Sequence, residues 1–294
     1  MPHAHHASIV SSWVSASLIL VALIYLLGWL RLRRLDLDSV QAWRAGGFML
    51  GLFLIWLAIA SPLSALDHEM LTAHMVQHLL LMTFAAPLIL LGASATTLLY
   101  GLPHRLVQVV SRSFQSTVLH QVWSALTHPV VCWLGAAGTL VAWHIPAVFL
   151  LGLRSQMWHG IEQASFLATG LLFWWPVVQP SPTSLKWPES SMLLYLFLAT
   201  LPCDILSGFL VFCDRVVYQV YFFSSQPFGL SALEDQECAG ALMWTCVTVI
   251  YLIAGAIVTA RLLSFRGSQE YAIRQLETQA IALPKNDMQT MEVV

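Results

Sequence analysis

The chain has 294 residues, of which 58% are apolar and only 10% are Asp, Glu, Lys or Arg, with a net charge of −2. Soluble domains carry roughly 25% charged residues, so this composition, with a mean hydropathy of +0.73, excludes water as the main solvent of the fold. The five Cys are irregularly spaced without a CxxC, which excludes a zinc ribbon and a secreted disulfide framework.

The amino terminus, MPHAHHASIVSSW, lacks the basic segment of a signal peptide and leads into an apolar run long enough to span a bilayer, so it reads as retained. Its His3, His5 and His6 read as solvated or as weak metal binders. A helix needs about 20 residues to cross the hydrocarbon core. Seven runs approach that length, near Val10–Leu30, Ala45–Ser61, Leu71–Gly92, Val130–Leu150, Met157–Val178, Ser191–Phe212 and Cys238–Leu262. Short segments of alternating polarity are missing, which excludes a β-barrel. The expected fold is an all-α, polytopic membrane bundle of about seven helices over residues 1–265, followed by a polar tail, 266–294. Residues 102–127 mix apolar and polar positions at helical spacing and read as an inner interfacial segment. The aromatic and acidic loop 213–237 reads as an outer cap.

Basic residues give the direction, because Lys and Arg stay on the cytoplasmic side during insertion. Eleven of thirteen follow the first, third, fifth and seventh runs, among them Arg31, Arg33, Arg34, Arg44, Arg105, Arg112, Lys186, Arg261 and Lys285; only Arg154 and Arg215 fall on the other side. The amino terminus is expected outside and the carboxy terminus in the cytoplasm of a bacterial inner-membrane protein. The basic residues make a girdle without aromatic interleaving, so nucleic acid is not an expected partner.

Ionisable groups within a bilayer are costly and mark function by default. His74 and His78 lie one turn apart on the third run, His144 precedes Pro146 near the outer end of the fourth, and His159 opens the fifth, with Glu162 and Gln163 on its face. Asp67, His68 and Glu69 stand just before the third run, and Asp235 and Gln236 at the mouth of the seventh, where they also suit a helix cap. The four histidines therefore fall at one depth. Imidazole ligates copper and zinc readily, and the soft donors Met70, Met75, Met82, Cys203, Cys238 and Met243 favour Cu(I). For each histidine the plainer reading is an interhelical hydrogen bond, and for each methionine it is packing. Glu162 reads as a ligand or as an acceptor that orients one. Asp204, after Pro202, reads as a pathway acid or a partner of a helix kink. The segment His74–His78 lacks the glutamate of an HExxH metalloprotease, and no nucleophile elbow or phosphate loop appears, so hydrolysis is not expected.

These residues resemble the polytopic cytochrome c oxidase assembly factors of the CtaG type, the caa-type oxidase assembly family. The resemblance rests on His74-Met-Val-Gln-His78-Leu-Leu-Leu-Met with Pro87 downstream, Trp143-His144-Ile-Pro146, His159-Gly-Ile-Glu162 leading into Phe173-Trp174-Trp175-Pro176, and Asp235-Gln236 before Gly240 and Met243-Trp244. It implies a non-enzymatic assembly factor or metallochaperone that supplies copper, as Cu(I), to the CuB site of the oxidase catalytic subunit. Its partners would be that subunit, an extracytoplasmic copper donor, membrane lipid and, in a homo-oligomer, a second copy. It also implies His74, His78, His144 and His159 as metal residues, supported by Glu162, Gln163, Asp67, Asp235, Met75 and Met243. Gln163 departs from the pattern, which commonly has a histidine there, so a ligand is missing or replaced. The alternative reading is a haem-binding redox or haem-transfer protein that uses two of the same histidines as axial ligands.

Overall fold

A computed structural model describes residues 2–35, 41–93, 95–114, 116–179, 190–224 and 227–282. The basic residues Lys186 and Lys285 lie outside them, as do the side chains of His3, His5 and His6. The described residues are helical with short turns, consistent with a backbone that must satisfy itself in lipid.

Helix α1 is Pro2–Arg34, α2 is Ala42–Ala60 and the single turn α3 is Leu63–Leu66. Helix α4 (Leu71–His78) passes through a π-helical segment, Leu79–Ala85, into α5 (Ala86–Gly92). Helices α6 (Ala95–Gly101), α7 (His104–Phe114) and α8 (Thr117–Leu126) follow, then α9 (Pro129–His144), α10 (Pro146–Arg154), α11 (Gln156–Val178), α12 (Ser190–Phe212) and the 51-residue α13 (Ala232–Ala282). Among the described residues, five helical stretches are long and apolar enough to cross a membrane: Ser11–Arg34, Ala42–Leu66, Leu71–Gly92, Ser190–Phe212 and Ala232–Ser264. The pair α8 and α9, bent by 60°, is a broken span or a re-entrant loop and makes a sixth if counted as one span. Helix α11 has 23 residues, the length of α12, but its first two turns carry His159, Glu162 and Gln163, which dilute its apolar character.

Two boundaries differ from expectation for identifiable reasons. The fourth run does not continue to Leu150: α9 stops at His144, Ile145 is extended (φ −66°, ψ 123°), and Pro146 begins α10. A residue before proline is driven out of the helical region, and proline suits the first helical position. The same effect at His128, extended before Pro129, produces the bend between α8 and α9. The polar tail begins as a direct continuation of α13, which runs to Ala282; residues 283–294 lie outside the described residues.

The principal core joins α4, α9, α11, α12 and α13 through Leu71, Met75, Ala136, Phe173, Tyr195 and Tyr251. Phe173 stacks on both Tyr195 and Tyr251, and α12 packs along α13. A smaller core around Tyr25, Phe48 and Leu52 holds α1 and α2 against α5 and α6. Gly28 and Gly101 allow the backbones of α1 and α6 to touch, since a Cβ at either would lie 1.9 Å from a carbonyl oxygen, Thr97 O or Ile24 O.

The π segment has a local cause. The amide of Ala86 donates to Leu81 O, five residues back. By that pattern residue 87 would donate to Met82 O, but Pro87 has no N–H. The indole of Trp174 on α11 donates to Met82 O instead, at 3.1 Å. Trp174 therefore satisfies a carbonyl that the wider turn and the proline together leave open.

Candidate metal centre

Helix α4 places His74 and His78 on the face it turns to α11, where Glu162 lies. The Nε2 atoms of the two histidines are 2.8 Å apart, and each is 3.3 Å from Glu162 Oε1. All three residues are buried. Both Glu162 oxygens, His74 Nδ1 and His78 Nδ1 are buried without a hydrogen-bond partner. Such atoms are costly in a dry interior. At metal–nitrogen bonds of ~2.0–2.1 Å, tetrahedral ligand atoms lie about 3.3 Å from one another; each histidine stands at that separation from Glu162, and the two Nε2 atoms are closer, at 2.8 Å. The donor set therefore fits a metal ion. Phe149 meets His74 edge-on at 4.8 Å and Phe166 stacks on His78 at 4.0 Å, which fixes both rings and excludes water.

A second donor group lies beside the first. Asp67 Oδ2 is 3.2 Å from His159 Nε2, and Asp67 Oδ1 is 3.6 Å from His68 Nε2. Amides order this group: Gln163 Nε2 donates to Gln77 Oε1 at 3.2 Å, and Gln77 Nε2 donates to Asp67 Oδ2 at 3.3 Å. Gln163 Nε2 also lies 3.2 Å from His159 Nε2.

The four sequence-selected histidines thus do not share one ring of donors. His74 and His78 join Glu162, and His159 joins Asp67 and His68. His144 Nδ1 donates to Leu140 O at 2.7 Å, which leaves its Nε2 lone pair free, 3.3 Å from Met75 Sδ. His144 and His78 line a cavity of about 50 Å³ together with Met75, Met82, Cys203 and Met243, so four of the six soft donors surround one space next to the first group. Met70 lies elsewhere, near Phe228 and Asp235, and Cys238 is exposed. Gln163 acts through its amide on Gln77 and His159.

Asp235 is in neither donor group. Its carboxylate accepts the amide N–H of Leu71 at 2.6 Å and of Thr72 at 3.1 Å, and its carbonyl accepts the Thr72 hydroxyl. It caps α4 from across the bundle, an anion at a helix N-terminus. Gln236 accepts from Val217 N–H at 2.7 Å and donates to Leu210 O and Arg215 O, which ties the 213–237 loop to α12 and α13. That loop lies over the centre. Tyr218 donates to His144 O at 3.0 Å and Tyr221 to Asp67 O at 2.8 Å. Burial pushes both phenols above their usual range, which keeps them protonated as donors. Asp204, on α12, is also outside both groups, and its Oδ1 is buried without a hydrogen-bond partner.

The sequence reading missed His68 as a donor. Its signal was adjacency to Asp67, but a loop gives no periodicity from which to infer that both side chains converge.

The motifs that build this centre lie within residues 23–264, which match the cytochrome c oxidase caa3 assembly factor family. The chain belongs to that family. It is a multi-pass membrane protein of an oxidase assembly factor family, with buried His and Glu groups that could hold a metal. Similar proteins include uncharacterised proteins of Mycobacterium bovis and Mycobacterium tuberculosis, each 25% identical over 84% of this chain and 38% of the relative. Another, from Mycobacterium leprae, is 23% identical over 82% of this chain and 37% of the relative. The chain thus spans under two fifths of the length of the curated relatives it matches. No solved structure matches it.

Proposed function

We propose that the protein holds copper, as Cu(I), at His74, His78 and Glu162, and passes it to the CuB site of a cytochrome c oxidase catalytic subunit in a bacterial cytoplasmic membrane. The observation that carries this reading is the convergence of two imidazole nitrogens and one carboxylate oxygen, 2.8–3.3 Å apart, with both Glu162 oxygens lacking a hydrogen-bond partner. The soft sulfur atoms of Met75, Met82, Cys203 and Met243 around the adjoining cavity favour copper over zinc. Gln163 and Asp235 support the centre by orienting its elements, Asp67 and His159 adjoin it with donor atoms of their own, and His144 stands at its exit. His144 lines both the small cavity and an apolar groove of about 970 Å³ between α9 and α12, so it sits where the interior meets the lipid-facing surface. Lateral transfer there would spare Cu(I) exposure to water.

The topology that goes with this reading counts α11 as a seventh span, its polar outer turns being those that serve the site. The amino terminus then lies outside and the centre faces the outer side, where an extracytoplasmic donor loads it. The function is that of a metallochaperone, with no bond of a substrate made or broken.

The geometry favours an ion over haem. Two axial imidazoles must stand on opposite faces of a porphyrin, whereas His74 and His78 nearly touch on one helix. The cavity that His78 shares with His144 is also far too small for a macrocycle. The test is copper content and spectra of purified protein and of His74→Ala and His78→Ala. Bound copper that either substitution lowers at least ten-fold in affinity supports the reading. A copper-free protein, or a Soret band, overturns it.

A further inference from the structure

Four imidazoles run in file, beginning at the surface and ending in the buried group. His68 has its side chain 54% exposed, His159 13%, His74 1% and His78 7%. Their ring centroids are separated by 6.0 Å from His68 to His159, 5.9 Å from His159 to His74, and 4.4 Å from His74 to His78. The buried group sits behind Phe149 and Phe166, and the file is the row of ligands by which the surface reaches it.

We infer that Asp67, His68 and His159 form a second metal station, at the surface, through which the ion enters the buried group of His74, His78 and Glu162. The inference rests on the copper reading of the buried group. Each group offers two imidazoles and one carboxylate, with donor atoms all within 4.8 Å of one another. Asp67 is itself fully buried, with Oδ1 lacking a hydrogen-bond partner although its neighbour His68 is open to solvent. A buried carboxylate held toward an exposed imidazole costs stability unless a cation is shared between them.

The similarity of the two donor sets makes transfer a sequence of ligand exchanges. The ion gains His74 as it loses His68, gains Glu162 as it loses Asp67, and gains His78 as it loses His159. At every stage one carboxylate and at least one imidazole remain, so charge and coordination are conserved and the oxidation state does not change. His159, its ring stacked parallel to that of His74, is the ligand between the two stations. The amide chain from Gln163 through Gln77 holds Asp67 and His159 in register for this step.

The experiment uses the full chain in detergent micelles, loaded anaerobically from a coloured Cu(I)–chelator complex, with copper per protein and the rate of chelator release as readouts. The wild type is expected to take two copper ions. His68→Ala, at an exposed position that leaves the core intact, is expected to take one and to load it at least ten-fold more slowly, and Asp67→Asn to behave likewise. The His74→Ala/His78→Ala double variant is expected to keep one rapidly exchanging ion. A wild-type protein that binds one ion, with His68→Ala unchanged in number and rate, overturns the surface station and leaves the buried copper site standing. Loss of one ion at an unchanged loading rate overturns the entry role. A wild type that binds no copper overturns both readings.

Discussion

Gly152 offers a test of the buried group through a residue that has no ligand atom. A Cβ added at this position of α10 would lie 2.7 Å from Glu162 Oε2, whereas ordinary contact begins at 3.4 Å. In Gly152→Ala the carboxylate must therefore move by about 0.7 Å, because the new methyl is fixed to the α10 backbone and Glu162 is the nearest group. Metal–ligand distances tolerate roughly ±0.2 Å, so a shift of this size takes Glu162 out of bonding range. The expected loss in copper affinity is ten- to a hundred-fold, read by competition with a Cu(I) chelator, with an overpacking cost of about 1–3 kcal/mol on stability. Gly160→Ala, where a Cβ meets nothing within 4 Å, serves as the control and should bind as the wild type does. Equal affinity in Gly152→Ala and the control would refute the role of Glu162 as a ligand.

Two further substitutions test the scaffold. Asp235→Asn keeps one carbonyl oxygen for two amide donors and removes the charge at the start of α4. Thermal unfolding followed by tryptophan fluorescence should show a loss of about 2 kcal/mol, the scale of a charged hydrogen bond, and an unchanged midpoint would rule out the cap. Trp174→Phe leaves Met82 O without its indole donor while keeping most of the aromatic volume. The expected cost is about 1–3 kcal/mol, with faster hydrogen exchange confined to the amides of the π segment; exchange unaltered there would show that the indole does not hold it.

Much of the centre was legible because it follows helical period. His74 and His78 are four residues apart, and that spacing alone sets their nitrogens on one face. Glu162 was legible because a carboxylate in an apolar helix requires a partner. The helix break at Ile145 was open to reading from Pro146, yet the apolar run passes through it, and hydropathy does not register a missing N–H. Asp235 shows a different limit. Its position suggested a cap on its own helix, but the amides it serves belong to Leu71 and Thr72, 164 and 163 residues away in sequence. A carboxylate's preference for a helix N-terminus is local chemistry, while the choice of helix is tertiary. The division of the histidines into two groups was likewise beyond one-dimensional depth, since His144 and His159 are at similar depth but are turned by α9 and α11 toward different partners.

The π segment also fixes a phase relation. An α-helix advances about 100° per residue, so an extra residue rotates everything beyond it unless a wider turn absorbs it. His74 and His78 lie on one side of Leu79–Ala85, and the Pro87-bearing half of the span, which packs on α2 and α11, lies on the other. The wide turn thus acts as a vernier between two halves with different obligations, one aiming ligands and the other anchoring the span. Deleting a single residue inside it would let the segment close into ordinary α-helix with both halves nearly in phase, whereas a deletion in the α-helical turns of α5 has no such reserve and would swing the imidazoles about a quarter turn relative to the residues beyond it.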